Sequence, residues 1–115
     1  MNLSNPVLIC DENEEFRILI RDMLTKNGFF HIMEASTQKE ALSYLVMKNN
    51  FFVLIDSNFF SQEMMSLLSK QKDFLVVINN SDPRAVTLAS KIGLKRILSH
   101  PLHSRKLMNK INSFT

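Results

Sequence analysis

Five short apolar runs, each followed by a stretch of helical periodicity, fill this 115-residue chain. The runs are PVLIC (6–10), HIMEA (31–35), FFVLI (51–55), FLVVI (74–78) and RIL (96–98). Between and after them, helical spacing recurs at Phe16, Leu19, Ile20 and Met23, then at Ala41, Leu42, Leu45 and Val46. It continues at Met64, Leu67 and Leu68, at Ala85, Leu88, Ala89 and Ile92, and at Leu107 and Ile111. Runs of three to five residues alternating with helices predict a parallel sheet, because only a helical crossover returns the chain to a parallel neighbour. The expected architecture is (βα)5, a doubly wound sheet with helices on both faces and right-handed crossovers. HIMEA is the most polar strand and RIL the shortest, so both are expected at the sheet edges.

Punctuation agrees with the pattern. Asn13 can cap the first helix, Thr37 through Glu40 spells a capping box for the second, and Ser61 can cap the third. Asp82-Pro83 offers the fourth a cap followed by proline at the first helical position. Both glycines, Gly28 and Gly93, fall just past helix ends, where a left-handed residue is wanted.

The length suits one domain over residues 1–115, and 45% apolar with 22% charged residues is the balance of a soluble globular chain. No apolar run is long enough to span a membrane, and MNLSNP lacks the layout of a signal peptide, so the expected location is the cytoplasm. A lone cysteine, Cys10, excludes an internal disulfide and reads as a small hydrophobe inside the first strand.

The chemistry gathers at strand ends. In a doubly wound sheet, ligands bind outside the carboxyl ends of the strands. The first strand runs into Asp11 and Glu12, and the third into Asp56. If those strands are neighbours, three carboxylates meet on one rim, and their repulsion calls for a cation. Hard oxygen ligands suit Mg²⁺, and an aspartate at such a site can accept a phosphoryl group. Each piece also has a plainer use: Asp11 and Glu12 suit the acid-rich start of a helix, and Asp56 can bond its own turn.

With these residues the chain resembles a response-regulator receiver domain from Val7 to Phe114. The acidic pair matches Asp11 and Glu12, and the phosphoacceptor matches Asp56. The metal-binding backbone carbonyl two residues on matches Asn58. The resemblance implies a flavodoxin-like fold with strand order 2-1-3-4-5. It implies phosphoryl transfer to Asp56 from a sensor histidine kinase or phosphotransfer protein, with Mg²⁺ held by Asp11, Glu12, Asp56 and Asn58. Such a domain is no enzyme beyond its own aspartyl phosphorylation and dephosphorylation, and it can form homodimers.

Several positions depart from the family. Asn79 stands where receivers carry Thr or Ser, and His100 where they carry lysine, with Pro101 kept and a cis bond expected. Phe60 and Met64 replace the usual proline and glycine after the aspartate, and Ile97 replaces the aromatic switch residue. A charged hydrogen bond of the kind lysine makes is worth about 1.5–3 kcal/mol. His100 is shorter, and the alternative use for it is a polar strand end bonded to backbone. Asp56 is therefore expected to accept phosphate slowly, without the hydroxyl-plus-aromatic readout. Phe59 and Phe60 are expected to pack locally, with a lid over the acidic site as the sharper alternative. His31 and His103 read as surface or edge residues.

Charge is divided along the chain. Up to Asp82 there are eleven acids against seven Lys or Arg, a net of −4; from Arg84 onward seven Lys or Arg and no acid give +7. That basic face, residues 84–115, suits an acidic protein surface. Nucleic acid fits it poorly, since Phe114 is its only aromatic and no helix-turn-helix is recognisable. No Gly-rich phosphate loop or nucleophile elbow points to another enzyme. Two readings lead: a phospho-accepting receiver, and a pseudo-receiver that binds proteins without phosphorylation.

Overall fold

A parallel five-stranded sheet in the order β2-β1-β3-β4-β5 forms the centre of the molecule. The structure is a computed structural model that describes residues 4–79 and 83–114. Its strands are β1 (Val7–Cys10), β2 (Ile32–Ala35), β3 (Phe52–Asp56), β4 (Asp73–Ile78) and β5 (Ile97–Ser99). The helices are α1 (Glu14–Lys26), α2 (Gln38–Met47), α3 (Gln62–Leu68), α4 (Ala85–Ile92) and α5 (Ser104–Asn112). The expected architecture and both edge strands are borne out.

Each strand divides its side chains between two cores, as the pleat requires. Leu8 and Cys10 of β1, with Val53 and Ile55 of β3, pack against α2, α3 and α4 through Ala41, Leu45, Met64, Leu68, Leu88 and Ile92. Val7, Ile9, Phe52 and Leu54 face the other way, onto Ile20 and Leu24 of α1 and Leu107 and Ile111 of α5. Full burial of such a side chain stabilises by about 1.5–3 kcal/mol, which is why β1 and β3 carry no polar residue before their carboxyl ends.

Three of the expected caps form. Asn13 accepts the Phe16 N–H at 3.2 Å, Thr37 the Glu40 N–H at 3.1 Å and Ser61 the Met64 N–H at 3.2 Å. The Glu40 carboxylate accepts the Ser36 N–H at 3.2 Å and the Thr37 hydroxyl at 3.4 Å. The Asp82 half of the fourth cap lies outside the described residues. Gly28 and Gly93 take φ of 93° and 85°, in the left-handed region that favours glycine. Arg96, read as the start of the fifth strand, instead closes a 3₁₀ turn over Leu94–Arg96, and β5 runs one residue further to Ser99. There Arg96 pairs with Asp73 at 3.2 Å, so its side chain is directed by the ion pair rather than by the strand.

Candidate functional site at the carboxyl rim

The register of the two central strands sets the site. Cys10 of β1 lies beside Ile55 of β3, so the next residue of each chain, Asp11 and Asp56, emerges on the same rim of adjacent strands. This is the point where the strand order reverses, with β2 on one side of β1 and β3 on the other.

Asp11 is buried. Its Oδ1 accepts the Asn13 N–H at 2.9 Å, and its carbonyl accepts from Arg17 Nη1 at 2.6 Å. Burial pushes its carboxyl above the usual aspartate range, and the Asp56 charge pushes the same way; the Asn13 N–H, His100 and Arg17 pull it back. Asp56 is half-buried, and its Oδ2 accepts the Asn58 N–H at 3.1 Å, capping a 3₁₀ turn over Ser57–Phe59. Glu12 is exposed beside them. Cys10, one residue before Asp11, is fully buried, and burial plus the Asp11 charge push its thiol far up, so it is a core residue as expected.

The ends of β4 and β5 lie on the same rim, on the β3 side of this pair. Asn79 follows β4 and is exposed. His100 follows β5, donates its backbone N–H to the Ile78 carbonyl at 2.9 Å and precedes Pro101 through the expected cis bond. Its ring stacks on Phe16 with centroids 4.6 Å apart. Ile97 is buried in the α2–α4 core. Phe59 is buried in the same core, and Phe60 lines a groove between α3 and α4, so both rings serve local packing rather than a lid. His31 and His103 are exposed, as read.

Among the described residues, no three His, Cys, Asp or Glu side chains converge into a ready metal cage. What the rim offers a hard cation is carboxylate oxygen, from Asp11 and Asp56 at the ends of adjacent strands. A buried carboxyl held beside a second carboxylate fits a divalent ion that keeps several waters.

Two parts of the site are invisible to sequence spacing. Glu34 of β2 accepts from Arg17 Nε at 3.2 Å and from Arg21 Nε at 2.8 Å, so the cation touching Asp11 is steadied from the edge strand. Arg17 follows Asn13 by one helical turn on α1, the one sequence signal that would have placed it over the acidic pair. Arg84 reaches across from the start of α4, where its Nη2 donates to Asn58 Oδ1 at 2.9 Å. The 26-residue separation leaves no local pattern to read.

No family model and no curated protein matches the sequence. Solved structures do match the fold. The chemotaxis protein CheY4 of Vibrio cholerae is 16% identical with a TM-score of 0.72, over 96% of this chain and 98% of that one. A receiver protein of Dyadobacter fermentans is 14% identical with a TM-score of 0.71, over 95% and 96% of the two chains. A CheY-like receiver domain protein of Methanospirillum hungatei is 20% identical with a TM-score of 0.69, over 95% and 92%. The fold is therefore that of the response-regulator receiver domains, in their flavodoxin-like strand order. At these identities the likeness carries the fold, and the chemistry rests on the residues at the rim. Among the described residues, no helix is long and apolar enough to cross a membrane.

Proposed function

We propose that the chain is a receiver domain that accepts a phosphoryl group on Asp56 from a histidine kinase or phosphotransfer protein. The observation that carries this reading is the placement of Asp11 and Asp56 side by side at the switch point of a receiver fold. An Asp56 carboxylate oxygen forms a bond to phosphorus while the phosphorus–nitrogen bond to the donor imidazole breaks, and the electron pair leaves with the nitrogen. Mg²⁺ held by Asp11, Glu12, Asp56 and the Asn58 carbonyl would neutralise the acid cluster and the phosphoryl oxygens. The Asn58 N–H holds one Asp56 oxygen, which presents the other for attack. In this reading Asn79 and His100, which follow β4 and β5, would donate to the phosphoryl oxygens. The domain acts on no substrate other than its own aspartyl phosphate.

A second reading, a pseudo-receiver that binds partners without phosphorylation, draws support from Ile97, which is locked in the core and supplies no ring to swing. In either case the basic face from Arg84 onward suits an acidic protein partner or a second copy. Intact-mass spectrometry after incubation with Mg²⁺ and acetyl phosphate decides between them. One phosphoryl group on the wild type and none on Asp56→Asn supports the receiver. No mass change in a folded protein, with acetyl phosphate and with a histidine phosphodonor alike, leaves the pseudo-receiver.

A further inference from the structure

We propose that the amino rim of the sheet, opposite Asp56, is a docking face for an anionic lipid surface. The inference rests on the fold alone and stands whether or not Asp56 accepts phosphate. Among the described residues, the four most exposed large apolar side chains are Phe30 at 80%, Met47 at 74%, Leu94 at 73% and Val46 at 71%. All four lie where the chain enters a strand. Phe30 comes two residues before β2, Val46 and Met47 end α2 on the way into β3, and Leu94 opens the turn before β5. In a parallel sheet these entries share one rim. Backbone N–H groups of Val7, Phe52 and Lys72 tie it together, donating to the carbonyls of His31, Pro6 and Phe51. Apolar residues scattered singly are ordinary on any surface, but this gathering at one end of the molecule is not.

The charge at this rim matches. Lys26 closes α1, Lys48 caps α2, and Lys70 and Lys72 lead into β4. These four are exposed and make no side-chain hydrogen bond or ion pair among the described residues. They come from the part of the chain whose net charge is −4, so the fold and not the composition collects them. Val46, Met47, Lys48 and Lys70 line one shallow cavity, which sets cation beside apolar side chain. The acids toward this end are Asp73, paired with Arg96 at 3.2 Å, and Asp22, one turn before Lys26 on α1. Phe30 and Leu94 lead into the two edge strands, and four inter-strand steps put those edges about 19 Å apart. A peptide seated in the cavity would meet one cluster, whereas a flat surface meets the whole rim. An anionic bilayer is flat on this scale, attracts lysine and takes apolar side chains below its headgroups. Docked this way, the chain turns Asp11 and Asp56 away from the lipid.

The test floats the full chain with vesicles of phosphatidylcholine alone or mixed with an equal share of phosphatidylglycerol. Wild type is expected on the anionic vesicles and not on the neutral ones, with binding lost as salt rises. Lys48→Glu with Lys70→Glu, and separately Phe30→Ser with Met47→Ser, are expected to melt with the wild type and bind at least about tenfold more weakly. Lys39→Glu with Lys106→Glu makes the same change of net charge in the first turns of α2 and α5, at the other rim, and is expected to keep most of the binding. A wild type that does not bind anionic vesicles overturns the inference and leaves the rim to an acidic protein. Equal losses in the two lysine pairs overturn it as well, because net charge alone then explains the attraction. Wild-type binding by the serine pair does the same, since the apolar side chains then do not enter the lipid.

Discussion

Replacing Gln71 with methionine removes three hydrogen bonds at little change of volume. Gln71 is 8% exposed at the turn between α3 and β4. Its Oε1 accepts the Phe51 N–H at 3.1 Å, and its Nε2 donates to the carbonyls of Leu45 at 3.1 Å and Lys48 at 2.7 Å. Those two carbonyls belong to the last turn and cap of α2, where no intrahelical donor is available. A single amide thus closes a helix end and satisfies the backbone leading into β3. Each bond contributes about 1 kcal/mol net, and a buried group left unpaired costs about 1–3 kcal/mol. Methionine restores some apolar contact, so the loss comes to about 3 kcal/mol, a large share of the 5–15 kcal/mol typical of such a domain. In urea, with a slope of about 1.5 kcal/mol per M, the midpoint falls by about 2 M with the slope unchanged. Gln71→Glu keeps the acceptor but sets a carboxylate against two carbonyls, so it costs more than methionine at pH 7. That excess shrinks as pH falls and the acid protonates, since a protonated carboxyl can donate one of the lost bonds. A methionine variant within about 1 kcal/mol of wild type would refute the capping role.

Two further outcomes follow from the rim. Cys10 is buried and its thiol is pushed far up, so a thiol reagent should leave the native protein unlabelled through pH 9 and modify it fully in denaturant. Rapid native labelling would show that β1 opens. Asp11→Asn keeps the Oδ1 acceptor for Asn13 and removes a charge that burial and Asp56 both oppose. Because the folded-state carboxyl is raised, the native protein binds the extra proton more tightly, and wild-type stability falls as pH rises from near 3.8 through the raised value. In chelator, the variant should therefore melt above wild type at pH 7 and with it near pH 3.5. A variant that melts below wild type at pH 7 contradicts the repulsion.

Most of the scaffold is legible in the sequence because its determinants are local. Asn13, Thr37 and Ser61 sit three residues before the amides they cap, and Gly28 and Gly93 carry the only positive φ among the described residues. The apolar runs announce burial on both sheet faces. The first layer of the site is legible too, because strand ends meet ligands in any doubly wound sheet, which places Asp11 beside Asp56 once β1 and β3 are neighbours. The supporting layer is not. Glu34 looks like the polar residue of an edge strand, Gln71 like part of a polar turn, and Arg84 like one of several basic residues. Their partners lie 13 to 26 residues away, and only the tertiary fold chooses them.

The charge division shows the same limit from the other direction. Counting from Arg84 onward gives seven cations, but the count does not say which of them a partner meets. Arg96 is paired with Asp73 and lies near the rings of Phe74 and Phe114, so it serves the fold. Lys106 and Lys110 donate to the carbonyls of Ser99 and Leu94 at 2.8 and 2.9 Å, and Lys95 sits 4.7 Å from the centre of the Phe114 ring. Carbonyls and rings hold a lysine in place without cancelling its charge. These residues therefore present an ordered positive field around β5 and α5 in place of a set of free side chains. An acidic partner that docked there would meet cations already positioned by the fold, and would lose less side-chain entropy in binding them.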